Sequence, residues 1–514
     1  MSLHLAILRN QYRDSVALMQ LSAALAKLEG ITQASAVMAT PANLELLTRA
    51  GLLADAPDAA PNDLLIALQG DEGAFEAALA NARQALDAKG GKGGSGPAAL
   101  PANSLTMALE RQPDSNLALI SVPGQYATAE AEKALRAGLN VMLFSDNVSG
   151  ADERRLKLLA TELGRIVMGP DCGTAIIHGV PLAFANVCRQ GSIGCVGASG
   201  TGLQQVTVLI DRLGEGVSQA IGTGGHDLHA SIGGLSMLAG IRALKEDETT
   251  RVIVLVSKPP AEDVARAVLD AAISTGKPVV VNFLGADPAR LPQHPQLHYA
   301  STLQSAAQMA VALVRGQRPA DQAPALDAAL ASGARTLLGA QQRQLRGLYS
   351  GGTFCYEATL MLGGALPGLH SNTPTASVPA PDDVWEVRGH SLIDLGDDEF
   401  TRGRPHPMID HRLRNERFIA AAADPAVAVI LFDIVLGFGA HESPLEAMRD
   451  TLLEVRAMAR EAGRTVHLVA TVCGTNADPQ NYARQWEGFA ELGVMLTASN
   501  AEAVALARAI VADL

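Results

Sequence analysis

The sequence predicts a multi-domain α/β protein built mainly from parallel, doubly wound sheets. Three observations carry that expectation. Short, continuous apolar runs recur along the chain, among them Leu117–Val122, Val141–Phe144, Val252–Val256 and Ala428–Phe432. Segments with helical spacing of apolar residues separate these runs, and strands that read as unbroken apolar runs are those buried on both faces. Glycine-rich turns follow several runs directly, as the strand-to-helix connections of a doubly wound sheet require. A length of 514 residues fits three or four domains at about 150 residues each.

Composition narrows the function classes. Hydrophobic residues make up 48%, charged residues 18% and aromatics 4% of the chain. That is globular, far too apolar for disorder, and poor in the aromatic faces on which single-stranded nucleic acid stacks. A net charge of −13 repels phosphate backbones over the surface as a whole, so no nucleic-acid partner is expected, while pockets for small anions remain compatible. The five cysteines, Cys172, Cys188, Cys195, Cys355 and Cys473, are scattered and form no CxxC pair. A reduced, cytoplasmic chain without a metal cluster is expected. The first residues lack the apolar core of a signal peptide, and no apolar stretch approaches the ~18 residues of a membrane span, so no membrane partner is expected.

In chain order, the first segment reads as strands His4–Leu8, Ala34–Met38 and Leu64–Leu68 alternating with three helices. The first helix is capped by Asp14 or Ser15 and stopped by Gly30; the second starts at Pro41 and ends at Gly51; the third covers Asp71–Leu86. This predicts a small α/β domain over residues 1–88, ferredoxin-like or ACT-like. Residues 89–101, KGGKGGSGPAALP, read as a flexible linker; a phosphate loop is excluded because no G-x-x-x-x-G-K-[ST] is present and no strand leads in. Residues 116–187 carry strands Leu117–Val122, Val141–Phe144 and Ile166–Met168, the last closed by Gly169-Pro170-Asp171-Cys172-Gly173. Residues 192–315 repeat the scheme with Ile193–Val196, Val217–Ile221, Val252–Val256 and Pro278–Phe283. Residues 317–342 are a polar, Ala-rich linker or helix. Residues 343–514 form another unit, with strands Arg346–Tyr349, Leu392–Leu395, Ala428–Phe432, His467–Ala470 and Val494–Thr497.

Five places carry candidate chemistry. The strand Ile193–Val196 runs into Gly197-Ala198-Ser199-Gly200-Thr201-Gly202 and a helix. Its glycines let backbone amides approach an anion at a helix N-terminus, worth roughly 0.3–2 kcal/mol per contact. The spacing is not that of a dinucleotide fingerprint, and both tight-turn packing and anion binding stay open. Ser350-Gly351-Gly352-Thr353 has the same grammar after the strand Arg346–Tyr349, and two such elements predict a shared anion site between them. Gly222-Thr223-Gly224-Gly225-His226 ends a third strand; His226 is a candidate general acid or an exposed loop residue. The segment Asp394–Asp410 sets carboxylates, Arg402, Arg404 and His406 between glycines and prolines; it is either a preorganised loop whose two guanidiniums clamp a carboxylate or phosphate, or a solvated surface loop of mixed charge. Lastly, Asp433 stands in a strand that runs on to Gly437, where it is either structural or part of a site.

These turns together resemble succinyl-CoA synthetase. Val122-Pro123-Gly124-Gln125, Gly169-Pro170-Asp171-Cys172, Gly194–Thr201 and Gly222-Thr223-Gly224-Gly225 are similar to turns of its α subunit. Ser350-Gly351-Gly352-Thr353, Asp394-Leu395-Gly396-Asp397 and Asp433–Gly437 are similar to turns of the carboxyl-terminal domain of its β subunit. The runs FSDNVS, MGPDCGTAI, VGASGTG, IGTGG, SKPPA and GRPHPMID resemble the FdrA family, which fuses these modules, over nearly the whole chain. The resemblance implies a Rossmann-like CoA-binding-type domain at 103–188. It implies two flavodoxin-like, succinyl-CoA-synthetase-type domains, α-ligase-like at 189–318 and β-carboxyl-terminal-like at 343–514. The small α/β domain precedes them.

FdrA proteins have been labelled acyl-CoA synthetases, and the family has been linked to oxamate carbamoyltransferase, which acts with two companion proteins in allantoin breakdown. The implied reaction converts oxalurate and phosphate to oxamate and carbamoyl phosphate. With His226 from its glycine-rich loop, His406 and Arg404 are the catalytic candidates. Ser199, Gly200, Thr201, Gly224, Gly225, Gly351, Gly352, Thr353, Arg402, Asp410 and Gly437 are the phosphate- or substrate-binding candidates. Phosphate or carbamoyl phosphate is the implied ligand, CoA a possible one, with separately encoded companion subunits and an oligomeric assembly. Two departures matter. The catalytic-histidine loop of the synthetase is replaced by Leu291–Ala300, which carries His294 and His298 in a different setting, and the nucleotide-binding module has no counterpart. An acyl-CoA ligase subunit and a non-catalytic scaffold are the alternatives.

Overall fold

In a computed structural model, the described residues are 2–511 apart from 12, 14, 41–42, 45–46, 49, 55–56, 89–101 and 403. Asp14, Pro41 and the 89–101 linker therefore lie outside the described residues. The chain divides into two compact units, one of residues 1–116, 121–123 and 397–410, the other of 117–120, 124–396 and 411–514.

The first unit holds a three-stranded antiparallel sheet in the order β1-β3-β2, with β1 at Ser2–Leu8, β2 at Ile31–Met38 and β3 at Leu64–Gly70. The central strand pairs antiparallel with both neighbours, Leu8 opposite Leu64 and Met38 opposite Leu64. That is the order of three strands of a ferredoxin-like split βαβ unit. The helices Ser15–Leu25 and Phe75–Ala88 pack on one face, where Leu18, Leu21, Leu25, Ile66, Leu68, Phe75 and Ala82 close a core.

The second unit contains three sheets. The smallest is parallel, β4 (Leu117–Ile120), β5 (Asn140–Leu143) and β6 (Val167–Met168). The next has the order β13-β12-β11-β9-β10-β7-β8. Its strands are β7 (Thr174–Ile177), β8 (Val180–Ala183), β9 (Gln190–Gly197), β10 (Val217–Gly222), β11 (Val252–Ser257), β12 (Val279–Phe283) and β13 (Leu297–Tyr299). The five strands from β13 to β10 are parallel, and the β7–β8 hairpin adds antiparallel at one edge. Residues 174–183, read from the sequence with the preceding domain, thus belong to this sheet. The last sheet is parallel throughout, β15-β16-β14-β17-β18-β19, with β14 at Gln344–Tyr349, β15 at His370–Ser371, β16 at Ser391–Asp394, β17 at Val427–Val435, β18 at His467–Cys473 and β19 at Val494–Thr497.

Both larger sheets share a five-strand core in the flavodoxin-like order 2-1-3-4-5, extended by the β7–β8 hairpin in one and by β15 outside β16 in the other. In one, β9 is first, β10 lies to one side and β11, β12 and β13 to the other; in the other, β14 is first between β16 and β17. The order reverses between β9 and β11 and between β14 and β17, and ligands of open α/β sheets bind beyond the strand ends at such points. Every residue of β10, β11, β12, β17 and β18 is buried, so these strands lack the in–out alternation of a half-exposed sheet. No helix among the described residues is long and apolar enough to cross a membrane.

Candidate active site

The two switch points meet. β9 ends at Gly197, and the helix Gly200–Arg212 follows with Ser199 as its cap, the hydroxyl accepting a hydrogen bond from Gly202 N at 3.1 Å. β14 ends at Tyr349, and the helix Gly352–Leu362 follows with Gly351 as a cap that offers no side chain. The hydroxyls of Ser199 and Thr353 lie 2.6 Å apart in one hydrogen bond. A Cβ on Gly351 would come within 3.0 Å of Thr201 Cγ2, so the turns approach closely enough to need glycine there. The turns that the sequence predicts to share a site are therefore brought together. Glu357, buried on the second helix, fixes the meeting: its carboxylate accepts from Leu303 N at 2.8 Å and from Asn500 Nδ2 at 2.8 Å. Burial pushes that carboxyl up from its ordinary range, and the two donors oppose the shift.

The turns differ in what they offer an anion. Gly200 is exposed, and the amides of Gly200 and Thr201 have no acceptor among the described residues. Unpaired first-turn amides at the positive end of a helix are a ready anion site. The second turn is already occupied by the protein's own carboxylate. Asp433 accepts from Ser350 N at 2.7 Å, Ser350 Oγ at 2.9 Å and Gly351 N at 2.8 Å. Fully buried Arg414 balances it, donating Nη1 to Asp433 Oδ1 at 3.0 Å and to its carbonyl at 2.7 Å. Burial pulls the Arg414 guanidinium down, and Asp433 holds it up. Asp394 lies beside Gly352, its Oδ2 2.5 Å from where a Cβ there would sit.

A third loop flanks the first turn. Gly222 at the end of β10 pairs with Gly197, and Thr223 N donates to Gly197 O at 2.9 Å. Gly224 has φ +85, and a Cβ there would lie 2.3 Å from Pro170 O, so close packing requires this glycine; Gly225 faces open space. His226 stands exposed at the loop tip, its Nδ1 3.9 Å from Glu153. Beneath it, buried Lys157 bridges Glu153 at 2.7 Å, Asp227 at 2.8 Å and the Thr223 carbonyl at 3.0 Å. Asp227 also caps the helix Leu235–Glu246 by accepting from Ser236 N and Met237 N. The ion cluster holds the loop that carries His226.

Other predicted residues fall elsewhere. Gly437 N donates to Gln480 Oε1 at 3.0 Å, and its carbonyl accepts from Gln480 Nε2 at 2.9 Å, so this peptide is engaged within the protein. Arg402, Arg404, His406 and Asp410 belong to the first unit. There Arg402 and Arg404 are exposed, His406 Nδ1 accepts from Met408 N at 3.2 Å, and buried Asp410 donates its amide to His406 O at 3.0 Å. Within the second unit, sequence reasoning passed over Lys258. It follows β11, whose Val256 pairs with Gly197, and its ammonium lies 5.1 Å from the ring centroid of Tyr356 on the second helix. A Lys directly after a buried strand at the switch point was the available signal.

Three family models match the chain: one described as AllF, heavy metal-associated domain, over residues 1–100, a CoA binding domain over 189–285 and a CoA-ligase over 348–510. The protein YahF of Escherichia coli K12 is 43% identical over 514 residues, covering 99% of this chain and 98% of YahF. Subunit alpha 2 of the ADP-forming succinate–CoA ligase of Archaeoglobus fulgidus is 28% identical over 177 residues, 34% of this chain and 60% of that subunit. Among solved structures, PH0766 from Pyrococcus horikoshii OT3 is similar at 15% identity and a TM-score of 0.32, covering 78% of this chain and 84% of that one.

Proposed function

This chain belongs to the FdrA family, together with YahF of Escherichia coli, and on that premise we propose that it is a subunit of a phosphate-dependent carbamoyl transferase that turns oxalurate and phosphate into oxamate and carbamoyl phosphate. Its CoA-binding-like and CoA-ligase-like parts are those of succinyl-CoA-synthetase relatives. The observation that carries the proposal is the contact between Ser199 and Thr353, which sets the open amides of Gly200 and Thr201 beside a second helix N-terminus.

In this reading phosphate binds at the Gly200 and Thr201 amides, with Lys258 as the nearby cation. A phosphate oxygen attacks the ureido carbonyl carbon of oxalurate, forming a C–O bond and an oxyanion that fixed backbone donors stabilise without reorganisation. Collapse breaks the C–N bond. The departing nitrogen takes a proton and leaves as the amide of oxamate, and the carbamoyl group stays on phosphate. His226, in the same unit as the paired turns, supplies the proton. Companion proteins complete the assembly. CoA is not required by this chemistry. A heavy-metal role for residues 1–100 does not fit their donors, since they hold no cysteine and a single histidine, His4, whose ring stacks on Phe75 at 4.9 Å.

A second reading, an acyl-CoA ligase subunit, is favoured by the matches to CoA-binding and CoA-ligase families. Reconstitution separates the two. The chain with its companion proteins is given oxalurate and labelled phosphate, and in parallel ATP, CoA and a dicarboxylic acid. Labelled carbamoyl phosphate and equimolar oxamate are expected. Acyl-CoA formation without carbamoyl phosphate would replace the proposal with the ligase reading.

A further inference from the structure

We propose that the cleft at the carboxyl ends of β12 and β13 is a second ligand site, distinct from the paired turns, which takes an amphipathic acid with its apolar body in the cleft and its acidic group on Arg508. The cleft has a volume of about 700 Å³, within the ~300–1,000 Å³ typical of small-molecule sites. Its floor is Phe283 at the end of β12 and Tyr299 at the end of β13. Its walls come from the other large domain: Leu360 and Met361 on the helix Gly352–Leu362, and Val504 on the helix Asn500–Val511. A mostly apolar hollow between two domains, beyond the carboxyl ends of parallel strands, is where α/β proteins hold small ligands.

The charges in the lining choose the ligand. Two carboxylates face the cleft, and both are engaged. Asp321 Oδ1 accepts from Ser301 N at 3.0 Å, Ser301 Oγ at 3.0 Å and Ser305 Oγ at 2.6 Å; Asp287 Oδ1 accepts from Ala289 N at 3.0 Å. Arg508 is exposed and makes no ion pair or hydrogen bond among the described residues. A guanidinium at the mouth of an apolar hollow matches a carboxylate, sulfonate or phosphate group attached to an apolar body. The site is separate from the phosphate turn: Leu360 is about 12 Å along its helix from Gly352 at ~1.5 Å per residue.

The test uses the full chain and two fluorescent probes, anionic 8-anilinonaphthalene-1-sulfonate and neutral N-phenyl-1-naphthylamine. Both should bind saturably at one site and be lost in Ala505→Trp, which fills the hollow. Arg508→Gln, a change at an exposed side chain, should weaken the anionic probe by about tenfold or more, the worth of a charge-assisted hydrogen bond, and leave the neutral probe unchanged. Added phosphate should displace neither. Anionic-probe binding that survives Ala505→Trp, or equal affinity for it in Arg508→Gln, overturns the site. Displacement by phosphate would merge it with the turn.

Discussion

Removing the Arg414 guanidinium tests how the second turn is held. Arg414 and Asp433 are both fully buried, and the guanidinium is the countercharge to the carboxylate that organises Ser350 and Gly351. Arg414→Met keeps the volume and leaves a buried carboxylate without its partner, which costs about 3–5 kcal/mol. The three donors from Ser350 and Gly351 remain, so the lower end, about 3 kcal/mol, is expected. At about 2–4 °C per kcal/mol for a domain of this size, the melting transition should fall by roughly 6–12 °C. Asp433→Asn should cost at least as much, because Arg414 is then buried as an unbalanced cation and the turn loses acceptors. The two variants together should cost less than their sum, as expected of residues in one network. Differential scanning calorimetry reads the magnitudes, and hydrogen exchange locates the effect. The Ser350 and Gly351 amides should lose protection in Asp433→Asn and largely keep it in Arg414→Met. A fall of less than about 2 °C in Arg414→Met, under 1 kcal/mol on that scale, would refute the reasoning.

Burial, with Arg414 and His441 adding to it, holds His411 neutral well below the ordinary imidazole range. Its pKa is depressed on folding, so its effect is absent above about pH 6.5 and stability is lost as pH falls below that, by up to about 1.4 kcal/mol per pH unit. His411→Gln should flatten the acid limb of melting temperature against pH, and an unchanged limb would exclude this role. Burial pushes the thiols of Cys172, Cys195 and Cys355 up to about 12 and raises those of Cys188 and Cys473. A disulfide reagent at pH 8 should therefore find almost no reactive thiol in the native chain and all five in guanidinium; rapid native reaction would show that a cysteine is accessible. Gly224→Ala should destabilise by more than about 1 kcal/mol, since the residue has positive φ and no room toward Pro170. Gly225→Ala, in open space, should be silent in the same melting experiment.

The parallel sheets were legible because strands buried on both faces leave long apolar runs, as in Val252–Ser257 and Val427–Val435. The hairpin of β7 and β8 was not. Its strands are short, and only pairing with β10 assigns them to a sheet. The strands β13 and β15 are shorter still and sit at sheet edges. The paired turns could be found because strand, glycine and helix follow one another within a few residues. What fills them could not. Asp433 reaches Ser350 across 83 residues of sequence, and Gln480 reaches Gly437 across 43. A local pattern does not reveal whether an amide at a glycine is open or already bonded. By the same logic Gly224, read as a phosphate-loop residue, has a packing requirement that only the neighbouring Pro170 loop discloses.

The central claim is that phosphate binds at the open amides of the first paired turn. Isothermal titration of phosphate and carbamoyl phosphate into the wild-type chain and into Gly200→Asp tests it directly. A Cβ at Gly200 meets only Thr174 Oγ1, at 3.4 Å, so the substitution fits without disturbing the turn. It places a carboxylate where the anion would sit, and like-charge juxtaposition costs several kcal/mol, about a 30-fold loss or more. One phosphate per wild-type chain, lost in a folded Gly200→Asp, is the predicted result. Equal affinity in the two proteins, or no binding to the wild type in the presence of its companions, would contradict the account.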